Sequence, residues 1–562
     1  MVGKRIGIGQ SDYKNLLDDN CYYIDKTLLI KEMIDSGSQV LLFPRPRWFG
    51  KTLNLSMLRY YFEKTEKDDS YLFKDYAIWK QGEEYTEHQG KYPIIFLTFK
   101  DVKQSNWEET YNKIMHLISE EYLRHDYLKD ILKPKEKEEY NKIEFQTAKK
   151  EEYEESLRKL SSYLEKYYNQ KVIILIDEYD TPIQAGYIGK YYDEIISFMR
   201  GLLCGVLKDN SSLKKGILTG ILRVAKESIF SGLNNPEVST ILSKQFDDKF
   251  GLLEEEVKEM LEYFGIPEKM ADVKDWYNGY KFGSSLIYNP WSIINYVKKH
   301  DEGLKPYWVN TSSNDLVKQI ITRSDEDVKQ ELGELIKGKS ITKQLSENIV
   351  FGDIEKSSDT IWSLLLFSGY LKAENVEIIN KKTYCDLSIP NKEVEYLYEE
   401  IVMDWFNESI YSRKLEIMLK SLTKGDIKTF SKIFKEFVLR MCSYFDPTGE
   451  EPERVYHAFV LGLLVSLNRT YQIKSNRESG YGRYDIMLIP KDKKNLGIII
   501  EFKKVEKDET ETLETAAENA LRQIQEKEYG QELLDLGVDN ILDLGIAFQG
   551  KAVMIKEKRK QF

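Results

Sequence analysis

One apolar run constrains this chain more than any other feature. Val40-Leu-Leu-Phe43 is followed directly by Arg45-Pro-Arg-Trp-Phe-Gly-Lys-Thr52. A short apolar run leading into Gly-Lys-Thr predicts a buried strand, a tight loop and then a helix, Leu53–Phe62, whose free amides point at an anion. Gly50 would let the backbone approach a phosphate, Lys51 would reach its β- and γ-oxygens, and Thr52 would ligate Mg²⁺. The loop departs from the consensus G-x-x-x-x-G-K-[ST], because Arg45 stands where the first glycine is expected.

A second apolar run, Val172–Ile176, ends in Asp177-Glu178-Tyr179-Asp180. A continuous β-branched stretch suits a strand buried on both faces of a parallel sheet, and such sheets bind ligands at the carboxyl ends of their strands. Asp177 is expected to hold Mg²⁺ and Glu178 to polarise an attacking water. A third candidate strand, Gly216–Leu222, ends at Arg223. Thr219 and Arg223 are candidates for the γ-phosphate, with Lys226 and Ser228 just beyond; an arginine capping the sheet edge is the alternative for Arg223.

Single cores stop growing near ~250–300 residues, so 562 residues imply several. Residues 1–245 alternate apolar runs, Ile94–Phe99 among them, with helical patterns, as a doubly wound parallel sheet requires. Tyr153, Leu157, Leu160, Leu164 and Tyr167 make the apolar stripe of a helix packed on that sheet. Residues 246–310 read as a small helical lid: a helix Glu254–Phe264 ended by Gly265, a hairpin turning at Asn278-Gly279, and a helix capped by Asn289 with Pro290 at its first position. Residues 311–440 read as mostly helical, with one hairpin near Ala373–Ile379 and Thr383–Ile389.

Residues 441–562 carry a second constellation. Gly480–Ile489 and Leu496–Lys503 read as the two strands of a hairpin. Glu501 and Lys503, two apart, leave the same face of their strand, and Asp485 can join them from across it. Two carboxylates and an ammonium at one point suit metal-assisted phosphodiester hydrolysis. Asp485 and Glu501 would hold Mg²⁺ or Mn²⁺, and Lys503 would orient water or offset charge on the phosphate. Glu453, four residues before His457, and Gln523 on a later helix are candidates to support this centre, the alternatives being a first-turn dipole residue for Glu453 and an ordinary surface amide for Gln523. His457 itself reads better as a structural histidine.

Both centres resemble known bacterial domains. The loop Arg-Pro-Arg-x-Phe-Gly-Lys-[Ser/Thr] is similar to that of an AAA-ATPase-like family, which makes Arg45 a family habit and implies that Arg45 and Arg47 belong to the nucleotide site, either touching the phosphates or bracing the loop. Tyr22–Thr27, Leu218–Ser228, Trp276–Gly283 and Tyr307–Ser312 resemble further blocks of that family. The C-terminal region resembles the PD-(D/E)XK nuclease superfamily, with Asp485 and Glu501-Phe502-Lys503 at the core, Glu453 on the first helix and Gln523 on a later one. Tyr484 stands where that pattern has proline. The resemblance implies an α/β chain with a P-loop ATPase domain and a restriction-endonuclease-like domain. It further implies ATP, Mg²⁺ and nucleic acid, DNA first, as cofactors and substrate.

The net charge of −11 argues against a generic nucleic-acid coat and leaves room for a local basic groove. Four scattered cysteines suit a reducing compartment, and the N-terminus lacks a leader-like apolar segment. Ala458–Leu467 is too short to span a bilayer, so a cytoplasmic chain without membrane contact is expected. A homo-oligomer is compatible with this reading. The competing functional reading is an ATPase switch or protein remodeller whose C-terminal module binds without cleaving.

Overall fold

The computed structural model describes residues 3–223, 236–309, 315–324, 326–336, 338–347, 358–398, 401, 412–444, 460, 463–464, 467, 470–479, 482–505 and 511–561. They form two compact units, one of residues 1–324 with 337–395 and one of residues 325–336 with 396–562.

In the first unit, β1 (Val40–Pro44), β2 (Ile94–Thr98), β3 (Val172–Asp177), β4 (Leu213–Gly220) and β5 (Glu237–Val238) make a parallel sheet in the order β2-β3-β4-β1-β5. Every residue of β1 and β3 is buried, which is why both read as uninterrupted apolar runs. The register pairs Thr98 with Asp177, Ile176 with Leu218, and Phe43 with Thr219. Thr98, Asp177, Thr219 and the start of the 45–50 loop therefore share one row at the carboxyl edge of the sheet.

The helical stripe before β3 is split between helices Lys150–Glu154 and Ser156–Tyr168. Tyr153, Leu157, Leu160 and Leu164 are buried, but Tyr167 is 45% exposed against the rings of Tyr127 and Tyr168. The stripe ends one turn earlier than its spacing suggests, because the helix closes at a left-handed Asn169.

Residues 246–309 contain helices Glu254–Tyr263, Met270–Tyr277 and Pro290–Lys298. Asn289 caps the third by accepting from Trp291 N and Ser292 N. The hairpin between them differs from expectation. β6 (Tyr280–Phe282) and β7 (Ser285–Ile287) turn at Gly283-Ser284, and Asn278-Gly279 instead carries the chain out of the preceding helix. The Asp247 carboxylate sets the turn by accepting from Ser284 N (2.9 Å) and Oγ (2.8 Å), while Asn278 Oδ1 accepts from Gly279 N (2.7 Å). Farther along, β8 (Ile341–Leu345), β9 (Lys372–Ile379) and β10 (Lys382–Ser388) form an antiparallel sheet that includes the expected hairpin.

In the second unit, β11 (Tyr471–Ser479), β12 (Gly482–Pro490), β13 (Gly497–Lys504), β14 (Asn540–Gln549) and β15 (Ala552–Gln561) lie in sequence order. Only β13 and β14 are parallel, joined by the crossover helix Leu513–Glu526. One sheet face, with Leu488, Ile500, Phe502 and Ile546, packs on helices Ser412–Lys424 and Ile427–Tyr444 through Leu422, Phe430 and Phe434. The opposite face, with Met487 and Ile499, packs on Ile524, Tyr529 and Leu533.

Candidate functional site

The 45–50 loop is held from behind. Arg45 is fully buried; its Nη1 donates to the carbonyls of Pro44 and Ser239, and its Nη2 to Ser239 Oγ (3.1 Å) and the Phe246 carbonyl (3.4 Å). Its guanidinium also lies 5.0 Å from the Phe250 ring centre and 5.5 Å from that of Phe282. Burial lowers its pKa to about 9, against an opposing pull from Asp247. Every hydrogen bond of Arg45 points into the protein, the arrangement of a brace behind the loop. A side chain of this reach fills the space behind the loop in a way glycine could not.

The front of the loop carries the chemistry. Gly50 is left-handed (φ 84°) and opens the helix Lys51–Phe62. Lys51 Nζ donates to the carbonyls of Arg45 and Pro46 (both 3.1 Å) and pairs with Glu178 Oε1 at 3.3 Å. Thr52 Oγ1 donates to Asp177 Oδ2 (2.8 Å) and Thr219 Oγ1 to Asp177 Oδ1 (2.6 Å). Thr98 Oγ1 adds a longer bond to Asp177 Oδ2 at 3.4 Å. Thr219 thus positions Asp177.

Three carboxylates here differ in state. Burial, then the charge of Glu178, raises the Asp177 pKa against the hydroxyls that bind it. Burial also opposes ionisation of Glu178, but the charges of Lys51 and Arg47 outweigh it and hold its pKa below the ordinary value. Asp180 is pushed up to about 6 by burial and by Glu178, although its Oδ2 accepts from the amides of Ile221 and Leu222 and from Gln184. Asp180 went unremarked in the sequence because its two backbone partners, Ile221 and Leu222, lie in the stretch after β4. Glu178 sits at φ 53° and Trp48 at φ 67°, unusual values for residues with side chains and a form of strain that clusters at functional sites.

Arg47 is half-buried beside Glu178. Its carbonyl accepts weakly from Asn289 Nδ2 (3.5 Å), and Trp48 stacks on Trp291 with ring centres 4.2 Å apart. The loop and the Pro290–Lys298 helix are therefore in direct contact. Arg223 lies three residues past β4 with a buried Nε that has no hydrogen-bond partner among the described residues; Lys226 and Ser228 lie outside them. In Tyr22–Thr27, Asp25 accepts from Thr27 and Ala77 and Lys26 pairs with Glu256 at 2.7 Å, while Tyr22, Ile24 and Lys26 also line the cavity that begins at Gly50.

A cavity of about 100 Å³ begins at Gly50, Leu53 and Asn54 and is walled by Tyr22, Ile24 and Met260. The hydroxyl of Thr52 against the carboxylate of Asp177 is a hard-oxygen set that fits Mg²⁺.

The second unit builds its site on two adjacent strands. Asp485 comes just before Ile486 and Glu501 just after Ile500 in the antiparallel pair Ile486–Ile500, so the two face each other. Asp485 Oδ2 accepts from Phe502 N (2.8 Å) and Glu501 Oε2 from Asp485 N (3.3 Å). Glu501 is buried, whereas Asp485 and Lys503 are half-exposed. Gln523 Nε2 donates to Glu501 Oε1 and lies 3.3 Å from Tyr529 Oη. Gly545 explains that reach. It pairs with Glu501, and a Cβ there would fall 2.2 Å from the Ala517 carbonyl, so only glycine lets the crossover helix come so close. Tyr529 was not anticipated, since nothing marks one tyrosine among 38.

The two carboxylates offer hard oxygens that fit Mg²⁺ or Mn²⁺. Among the described residues, no group of three or more His, Cys, Asp or Glu side chains is placed to hold a metal, so solvent or substrate oxygens would complete the shell. Glu453 and His457 lie outside the described residues. Among the described residues no helix is long and apolar enough to cross a membrane.

Comparison with known proteins agrees with this two-part geometry. Residues 6–230 match the family model described as "Predicted AAA-ATPase", and residues 451–558 match that of the PD-(D/E)XK nuclease superfamily. A protein of Azotobacter chroococcum mcd 1, described as "Uncharacterized protein in vnfD 5'region", is 23% identical over 98% of this chain and 97% of its own length. No solved structure matches. The chain carries an AAA-ATPase-like domain at residues 6–230 followed by a PD-(D/E)XK nuclease superfamily domain at residues 451–558.

Proposed function

We propose that this protein binds and hydrolyses ATP at the 45–52 loop, and that its nucleotide state gates cleavage of nucleic acid, DNA first, at Asp485, Glu501 and Lys503. The observation that carries the first half is the row of Lys51, Thr52, Asp177, Glu178 and Thr219 at one sheet edge. Lys51 takes the phosphates. The adjoining cavity, apolar and contiguous with Gly50, suits the base. A terminal phosphate at the loop competes with Glu178 for Lys51 Nζ, and Glu178, once released, is the group that takes up the attacking water. Thr52 and Asp177 would hold Mg²⁺, which would neutralise charge on the phosphates.

At the second centre Asp485 and Glu501 would hold the metal, which would supply an acidified water. Gln523 fixes the Glu501 carboxylate, and Lys503, on the same strand face, offsets charge on the phosphate under attack. The convergence of these groups favours cleavage over binding alone. Coupling rests on the tandem order of the two domains and on the need to restrain a nuclease in a cell full of DNA. The test incubates full-length protein with DNA, ATP and Mg²⁺ or Mn²⁺. Wild type is expected to cut where Lys503→Ala does not; equal cutting by both removes the nuclease reading.

A further inference from the structure

We infer that Lys103, on the turn that leaves β2, is a ligand of the terminal phosphate of a bound nucleoside triphosphate; this rests on the nucleotide reading of the 45–52 loop.

The turn is anchored on both sides of Lys103. Phe99 N donates to the Asp177 carbonyl (3.0 Å), and Val102, fully buried, donates its N–H to the Phe99 carbonyl (3.0 Å). Beyond it, Tyr191 Oη donates to the Gln104 carbonyl (2.7 Å) and accepts from Thr110 Oγ1 (2.9 Å). Lys103 is thus an exposed side chain on a fixed backbone, next to the strand end that carries Asp177 and Glu178.

Its electrostatic surroundings are unusual for a surface lysine. Besides its partial desolvation, the group acting most strongly on its ammonium is Arg47, a like charge, followed by Glu178; Asp101 attracts it and Lys100 repels it. Among the described residues neither Arg47 nor Lys103 forms an ion pair, and the Glu178 carboxylate is already engaged by Lys51 at 3.3 Å. Three cations from three separate elements, Lys51, Arg47 and Lys103, therefore gather around one carboxylate. Like charges held together cost free energy unless an anion joins them, and a multiply charged phosphate is the anion that matches three cationic donors. Glu178 marks which phosphate: it is the water-polarising carboxylate, so cations clustered on it lie at the end of the triphosphate that is attacked.

The experiment measures ATP and ADP affinity by titration calorimetry with Mg²⁺ on the full chain, for wild type, Lys103→Ala, Lys103→Arg and the neighbouring Lys100→Ala. Thermal melting checks that each variant is folded. Lys103→Ala is expected to weaken ATP about tenfold or more, the size of one charge-assisted bond, with ADP unchanged; Lys103→Arg should recover most of the loss and Lys100→Ala should show none. An unchanged ATP:ADP ratio in Lys103→Ala, an equal loss for both nucleotides, or the same loss in Lys100→Ala overturns the assignment and leaves the nucleotide reading intact. Wild-type protein that binds neither nucleotide overturns both.

Discussion

The two centres of this chain are built on opposite electrostatic plans. At the sheet edge of the first unit, Lys51, Arg47 and Lys103 lie near carboxylates that are buried and held by hydroxyls and amides, which suits the proposed anion. On β12 and β13 of the second unit, two carboxylates face each other, with Lys503 two residues along the strand from Glu501, which suits the proposed metal ion. The contrast teaches how to separate the two activities, since a substitution at one centre should spare the other.

The largest effect is expected where charge develops during bond breaking. Glu501→Gln and Lys503→Ala should each lower nucleic-acid cleavage by roughly 10²–10³-fold, in a timed plasmid-cutting assay, with ATP affinity unchanged. Loss of ATP binding in either variant would break the separation. A contrast within the first unit follows. Arg45→Ala strands the Ser239 and Phe246 carbonyls and empties the space behind the loop, and should cost roughly 3–4 kcal/mol in chemical denaturation. Arg47→Ala should stay within about 0.5 kcal/mol of wild type and weaken ATP instead.

That pair of arginines marks the limit of the sequence. Both stand in one motif and look equivalent as letters. Arg45 is turned inward by Ser239, Phe246, Phe250 and Phe282, all nearly two hundred residues or more away. No local pattern encodes that. What local chemistry does encode was legible: the continuous apolar runs of β1 and β3, the Asn289–Pro290 helix start and the hairpin that sets Asp485 against Glu501. Asn278-Gly279 misled because a turn signal marks a change of direction, and here the change is from helix to strand. Lys103 had no motif around it at all; only the pairing of β2 with β3 sets the turn that carries it beside Asp177.

A smaller effect tests the frame of the first unit. Burial pushes Glu393 up to about 7, although it accepts from Ser292 Oγ (2.7 Å) and the Trp308 amide. With its native pKa above the unfolded 4.5, the native state binds the extra proton. The associated stability is complete below about pH 4.5 and is lost as pH rises through about 7. Melting between pH 5 and pH 8 should lose up to roughly 3 kcal/mol on this account, and Glu393→Gln should flatten that slope. The smallest effect belongs to Gln523, which touches Glu501 and does not itself face the phosphate. Gln523→Ala should raise the Mg²⁺ concentration for half-maximal cleavage about tenfold while leaving the rate at saturating metal near wild type.

The central claim is that the anion site controls the cation site. Its most direct test is the rate of DNA cleavage by the full chain, with and without ATP, in wild type and in Lys51→Ala. Wild-type cleavage is expected to change with ATP, and Lys51→Ala to cut at one rate in both conditions. Wild-type cleavage that is the same with and without ATP would contradict it.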